Sequence, residues 1–240
     1  LENHRQQILR DGKDKTIFFW NNRNARRKQS GTLIFWFKEF LDRVGHDQAI
    51  LVMHTDPEDP HGQPLPHLIT VLELVNGQVQ LSTQKISPDG LNLFYNAADC
   101  TINISDAEGF GLATLESMAA ETPIIVNMTG GLQDQVTDGE NWFGIGITPS
   151  SKSIIGSQAV PYIYEDRINK DEFLNALEKI HKMSKKDREA LGKKCRKNVE
   201  ERFNFENFKN RWVDLMLEVH EKFGSWDTRK NYDRWGVTKL

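Results

Sequence analysis

The sequence predicts an α/β protein built on a parallel sheet with helices on both faces. Two observations carry this. Short runs that are apolar almost throughout recur along the chain, as in Thr16–Asn21 (TIFFWN), Ala49–His54 (AILVMH) and residues 123–127 (PIIVN). Continuous rather than alternating apolar runs belong to strands covered on both sides. Between them lie segments of about 8–15 residues that read as helix, and this alternation forms βαβ units. Sites in such sheets lie in the loops at the carboxyl ends of the strands.

The elements follow in order. The first 15 or so residues are polar, punctuated by Asp11-Gly12, and read as a linker or the tail of a preceding element. Thr16–Asn21 is the first strand. Leu33, Phe37, Phe40, Leu41 and Val44 recur at helical spacing, so residues 31–45 are expected to form an amphipathic helix. Ala49–His54 is the second strand. Residues 55–66, rich in Pro and Asp, are expected to be loop, 68–75 helix and 79–83 strand. Ser87-Pro88-Asp89-Gly90 offers a cap and a proline for a short helix over 91–98. Residues 101–105 (TINIS) read as strand, 111–120 as helix and 123–127 as strand. Residues 150–159 are small and polar and read as loop. Three helices are expected at 170–183, 185–202 and 205–223, the last with Phe208, Trp212, Leu215 and Val219 on one face. The expected division is 1–15 linker, 16–203 sheet domain and 204–240 C-terminal helices.

The bulk composition narrows the function. The chain has 240 residues, 27% of them charged, and a net charge of −3. Nothing in that balance calls for nucleic acid or an anionic membrane as partner. No apolar run approaches the ~20 residues needed to span a bilayer. The start lacks Met and a signal-peptide pattern, so the chain reads as cut from a longer protein. Its two cysteines, Cys100 and Cys195, have no metal spacing and suggest a reducing compartment. The expected location is therefore cytoplasmic, with peripheral contact to the inner face of a membrane left open for the full-length enzyme.

One segment carries chemistry. Glu108-Gly-Phe-Gly-Leu-Ala-Thr-Leu-Glu116 follows the strand TINIS and opens a helix. Gly109 and Gly111 let the backbone turn tightly and approach a ligand. The unpaired N–H groups of the first helical turn, Phe110, Gly111 and Leu112 among them, suit a phosphate. Leu112 and Glu116 share a helix face, so Glu116 can reach a group beside the helix start. A carboxylate there suits a vicinal diol such as a ribose. Glu108 sits on the strand end, where a sugar attached to that phosphate would lie. Two glutamates eight apart also suit a solvated helix face; their place after a buried strand favours the site.

This segment resembles the EX7E signature of retaining GT-B glycosyltransferases, especially family 4 (glycosyl transferases group 1). The likeness extends to Ser117–Ile125 (SMAAETPII), to Gly130-Gly131-Leu-Gln-Asp134-Gln-Val-Thr-Asp138-Gly139-Glu-Asn141, and upstream to Leu93-Phe-Tyr-Asn-Ala-Ala-Asp99. It covers residues 16–220 or so. Glu121 departs from the small residue usual before the Thr-Pro. The resemblance implies a Rossmann-like, doubly wound parallel sheet with extra C-terminal helices, one half of a GT-B fold. It implies a nucleoside-diphosphate sugar as donor and a saccharide or lipid-linked acceptor, held by a missing N-terminal domain. No metal or cofactor is expected.

The basic loop after the first strand, Trp20-Asn-Asn-Arg23-Asn-Ala-Arg26-Arg27-Lys28, fits the same picture. In the resembling family an Arg and a Lys five apart grip the diphosphate. Arg23 and Lys28 have that spacing, with Asn22 and Gln29 standing where glycines are usual, and Arg26 or Arg27 could share the work. The resemblance also places the base near Ile86. Gly130 and Gly131 would let a loop close on the sugar, and Asp134 would either approach the sugar or cap a helix. His54, Asp56, Asp59 and His61 form a metal-like set in a Pro-broken loop and read as a polar loop instead. The expected site is thus Glu108, Arg23 and Lys28 for catalysis, with Phe110, Gly111, Leu112, Glu116, Ile86 and Gly130 for binding. The competing readings are a non-catalytic sugar-nucleotide-binding domain and a GT-B UDP-sugar epimerase.

Overall fold

The computed structural model describes residues 2–9 and 14–231. The chain divides into two compact units, Leu1–Lys197 and Asn198–Leu240. The first holds a six-stranded sheet, every pair parallel, in the order β3-β2-β1-β4-β5-β6. Its strands are β1 (Thr16–Asn21), β2 (Ala49–His54), β3 (Val79–Ser82), β4 (Cys100–Asn103), β5 (Ile124–Asn127) and β6 (Ile145–Ile147). The order reverses between β1 and β4, which defines the crevice where such sheets bind ligands.

The unbroken apolar runs are explained by burial on both faces. In β1 and β2, Phe18, Trp20, Leu51 and Met53 face one cluster. Ile17, Phe19, Ile50 and Val52 face the other. The first cluster takes in Leu33, Phe37, Phe40 and Leu41 of α2 (Ser30–Val44) and Phe173, Leu174 and Leu177 of α7 (Lys170–Lys182). The second is closed by Tyr95 and Ala97 of α4 (Pro88–Ala97) and by Ile8 and Leu9. These last two residues belong to α1 (Glu2–Leu9), which stands where the sequence suggests a linker or a tail.

Two expectations are corrected. Residues 150–159 are not all loop: β7 (Ser151–Ile155) pairs antiparallel with β8 (Ile163–Arg167) in a separate ribbon. A two-stranded ribbon is not covered on both faces, so it needs no apolar run, and Ile154 and Tyr164 are exposed on it. The helix expected at 68–75 is α3 (Leu65–Val71). Pro64 and Pro66 start it early, as proline tolerates the first turn, and a left-handed Glu73 (φ 57°) ends it early. The remaining helices are α5 (Leu112–Ala119), α6 (Gly131–Val136) and α8 (Lys185–Arg202). In the second unit, α9 (Phe205–Phe223) is capped by the Asn204 side chain, which accepts from Asn207 N. None of its residues is buried.

Candidate functional site

A cavity of about 410 Å³ opens at the carboxyl ends of β1 and β4, at the reversal of strand order. Its walls come from five places, one of them Leu91 of α4. In the others, Asn21 ends β1 with Asn22 next to it, Asn103 ends β4, Lys28 lies in the turn after β1, and Glu108, Phe110, Gly111, Leu112 and Ala113, with Glu116, surround the start of α5.

Lys28 and Glu108 are brought together from opposite sides of the reversal and form a direct ion pair. Both side chains are nearly closed off, at 9% and 11% exposure. Burial pushes the Lys28 ammonium below its ordinary value, with Glu108 acting against the shift. Arg27 lies 3.8 Å from the same Glu108 oxygen and donates to Ala107 O at 2.6 Å. The turn that delivers Lys28 closes on Gln29 in the left-handed conformation (φ 58°), where the resembling family carries glycine. The strain is offset by side-chain bonds: Gln29 donates to Asp106 at 2.5 Å and accepts from Thr32 at 2.6 Å.

Gly111 precedes α5 with φ 88°, and no side chain caps the helix. Its first-turn N–H groups therefore face the cavity with the partial positive charge of a helix start. The turn is held from behind by buried Gln135, which donates to Phe110 O at 2.6 Å and Gly111 O at 3.1 Å and accepts from Thr114 at 2.6 Å. Gly130 (φ 49°) touches the same loop, and a Cβ there would fall 1.7 Å from Glu108 O. Its role is close packing against the backbone that carries Glu108. Gly131 N donates to Glu108 O at 3.3 Å and Gly109 O at 3.2 Å. Glu116 is exposed at the rim.

The other predicted residues lie elsewhere. Arg23 does not line this cavity. Its Nε and Nη2 donate to Asp59 at 2.6 and 3.2 Å, and Nη2 sits 2.8 Å from His61 Nδ1. Arg23 in turn holds the Asp59 carboxyl well below the usual range. The spacing of Arg23 and Lys28 thus does not place them on one ligand here, because the loop after β2 takes the arginine. Arg26 is bound by both oxygens of Glu165, at 3.0 and 2.5 Å. Ile86 is half-buried and Asp134 exposed, and both lie outside the cavity wall. Of the metal-like set, Asp59 and His61 serve Arg23, Asp56 accepts from Glu58 N, and His54 Nδ1 meets Ser82 Oγ at 3.0 Å. Among the described residues, no group of three or more His, Cys, Asp or Glu is placed to hold a metal ion.

Sequence reasoning missed four residues. Asn103 is buried beneath the cavity, its Oδ1 taken by Ser105 and its Nδ2 without a partner among the described residues. Gln135 braces the α5 turn. Asn21 and Tyr95 lead to Glu116, as described below. The available signal for two of them was the Asn that ends β1 and the Asn that ends β4, at the carboxyl ends where a parallel sheet puts its crevice.

A family model described as Glycosyl transferases group 1 matches residues 2–198. A Salmonella typhimurium lipopolysaccharide 1,2-N-acetylglucosaminetransferase is 25% identical over 92% of this chain and 53% of its own length. A Pyrococcus furiosus trehalose synthase is 27% identical over 75% of this chain and 39% of its own. Among solved structures, sucrose-phosphate synthase from Thermosynechococcus elongatus aligns with TM-score 0.67 and 24% identity, covering 92% of this chain and 49% of that one. Anabaena HepE in complex with UDP and glucose aligns with TM-score 0.66 and 16% identity, covering 90% and 52%. The chain thus spans about half the length of these proteins, or less. The matched residues include the whole sheet and every wall of the cavity, and on that ground the chain belongs to the glycosyl transferases group 1 family.

Proposed function

We propose that this chain supplies the nucleotide-sugar half of a retaining glycosyltransferase. The observation that carries the reading is the cavity at the strand-order reversal. There Lys28, an uncapped helix start, Glu108 and Glu116 surround one space. Anabaena HepE, of similar fold, is described with UDP and glucose, which fits a donor of this class.

The chemical problem in glycosyl transfer is negative charge growing on the departing diphosphate. Fixed charges and dipoles in a half-closed site stabilise such charge without reorganising. Lys28 and the N–H groups at the start of α5 take that role. Glu108 accepts hydrogen bonds from the hydroxyls of the donor sugar, and Glu116 from the ribose diol. A double displacement needs a carboxylate nucleophile at the anomeric carbon. With Glu108 engaged by the sugar hydroxyls and Glu116 by the ribose, no carboxylate among the described residues of the cavity wall is left for that role, so we favour front-face substitution, with the acceptor entering on the leaving-group side. Arg23 joins the diphosphate only by leaving Asp59. No metal is needed where Lys28 and the helix start supply the positive charge. The acceptor, a saccharide or a lipid-linked hydroxyl, is held by a further domain.

The test is a thermal-shift and calorimetric screen of UDP-, GDP- and ADP-sugars against the chain. At least one should bind and raise the melting temperature, and Glu116→Ala should weaken it. If none binds, the reading fails.

A further inference from the structure

Glu116 is an exposed side chain on a helix, and a free glutamate there samples many rotamers. Here it is tied to the protein interior. The hydroxyl of Tyr95, a residue only 2% exposed, donates to Glu116 Oε2 at 2.8 Å. Asn21 Nδ2 donates to the same hydroxyl at 2.9 Å. The three residues come from α4, α5 and β1, and Asn21 and Glu116 both line the cavity.

The direction of this chain is fixed by its chemistry. A phenol has one hydrogen to give. If Asn21 presented its carbonyl oxygen instead, two acceptors would compete for that hydrogen and one would go unserved. With the amide donating, the phenolic hydrogen is committed to Glu116. Burial also holds the Tyr95 phenol well above its ordinary value, so it remains a donor. The ring is fixed by packing edge-on against Phe19, with centroids 5.2 Å apart.

We propose that Tyr95, oriented by Asn21, is a positioning residue that presents Glu116 Oε1 to the ribose diol. The proposal rests on Glu116 holding the ribose. Oε2 is occupied by Tyr95, which leaves Oε1 as the oxygen open to the ligand. The entropy of immobilising the glutamate is then spent on folding rather than on binding, which is how preorganisation raises affinity. Discrimination for the ribose hydroxyls therefore depends on a buried phenol that never touches the ligand.

The experiment measures affinities of UDP, GDP and ADP against their 2′-deoxy and 3′-deoxy analogues, with inorganic pyrophosphate as a ribose-free probe. A hydrogen bond to a charged group is worth ~1.5–3 kcal/mol, so the wild type should prefer a ribonucleotide by roughly tenfold or more. In Tyr95→Phe that preference should fall to roughly two- to threefold, with pyrophosphate affinity unchanged. In a Glu116→Ala background the preference should be absent and Tyr95→Phe should change nothing further. A purely structural tyrosine would instead weaken pyrophosphate binding too, or act equally in both backgrounds, and either result overturns the proposal. So does a Tyr95→Phe protein that keeps the full preference, in which case the donor-site reading survives. A wild type that binds a nucleotide without preferring the ribose overturns the role of Glu116 and this proposal with it. A wild type that binds none of the probes defeats the donor-site reading itself. Should Tyr95→Phe fail to fold, Asn21→Asp, whose carboxylate can only accept and so competes with Glu116 for the phenolic hydrogen, is the second variant and should show the same loss of preference, and a full preference there overturns the proposal.

Discussion

Gly130 illustrates how little room surrounds the site. A Cβ at this position meets Glu108 O at 1.7 Å, and the backbone sits at φ 49°, ψ −136°, where L-residues are strained by ~1–3 kcal/mol. Gly130→Ala should lower the urea midpoint by at least that strain and abolish nucleotide-sugar binding, because the loop that must move carries Glu108. Lys28 makes a prediction about pH. Its folded value lies below the unfolded value near 10.5. Between the two the unfolded chain binds more protons, so stability rises with pH in that window. An anion beside Lys28 raises the value again. Nucleotide-sugar affinity should therefore fall as pH rises through the lowered value, before an ordinary lysine would titrate, and Lys28→Arg should flatten the decline. Calorimetry from pH 7 to 10 measures both. At this scale much of the cavity was legible. Phe110, Gly111, Leu112 and Glu116, singled out by the strand–turn–helix pattern around Glu108, all line its wall. Arg23 was not legible, because its partner Asp59 lies 36 residues away and spacing within one loop carries no information about the next.

Local elements were readable wherever a strand was buried on both faces or a helix was amphipathic. The readings of β1, β2, α2, α7, α8 and α9 fall within a residue or so of their bounds. The β7–β8 ribbon escaped notice because ribbons carry no continuous apolar signal. It is nonetheless tied to the site. Asp166 N donates to Asp106 O at 2.7 Å, and Asn127 Nδ2 donates to both Ser105 O and Asp166 O at 2.8 Å. Glu165 holds Arg26 of the basic turn. Arg26 keeps the Glu165 carboxyl below its ordinary value of 4.5, so the pair stabilises the fold above 4.5. That contribution is lost as pH falls through the lowered value. Glu165→Gln should cost ~1 kcal/mol at neutral pH, the arginine being half exposed. It should also make the acid limb of the stability curve shallower. Urea denaturation between pH 3 and 7 reads both effects.

The relatives of this chain run to roughly twice its length or more. On the proposed reading, affinity and turnover separate. The 240-residue chain should bind its sugar nucleotide yet transfer the sugar slowly or not at all to a supplied acceptor. A radiolabelled-donor assay checks this, and robust turnover would show that the acceptor site lies within the present residues. The family model ends at residue 198 and the first compact unit at Lys197, so binding is expected to depend on the first unit. Substitutions on the exposed face of α9, such as Trp212→Ser, should leave nucleotide affinity unchanged.

The contact between Lys28 and Glu108 has a consequence for which molecules the site retains. Within the pair the ammonium and the carboxylate satisfy each other. Entry is then an exchange of partners. A phosphate that takes Lys28 strands Glu108 half-closed from water, unless the same molecule brings hydroxyl groups to it. A neutral sugar offers hydroxyls but gives Lys28 no reason to let go. On the proposed reading a ligand that carries both at the right separation resolves the exchange, and the pair would act as a coincidence detector. Once the sugar has left, the remaining nucleotide meets one half of the condition and the ion pair can re-form behind it. On that reading the contact that admits the intact donor would also help to expel what is left of it.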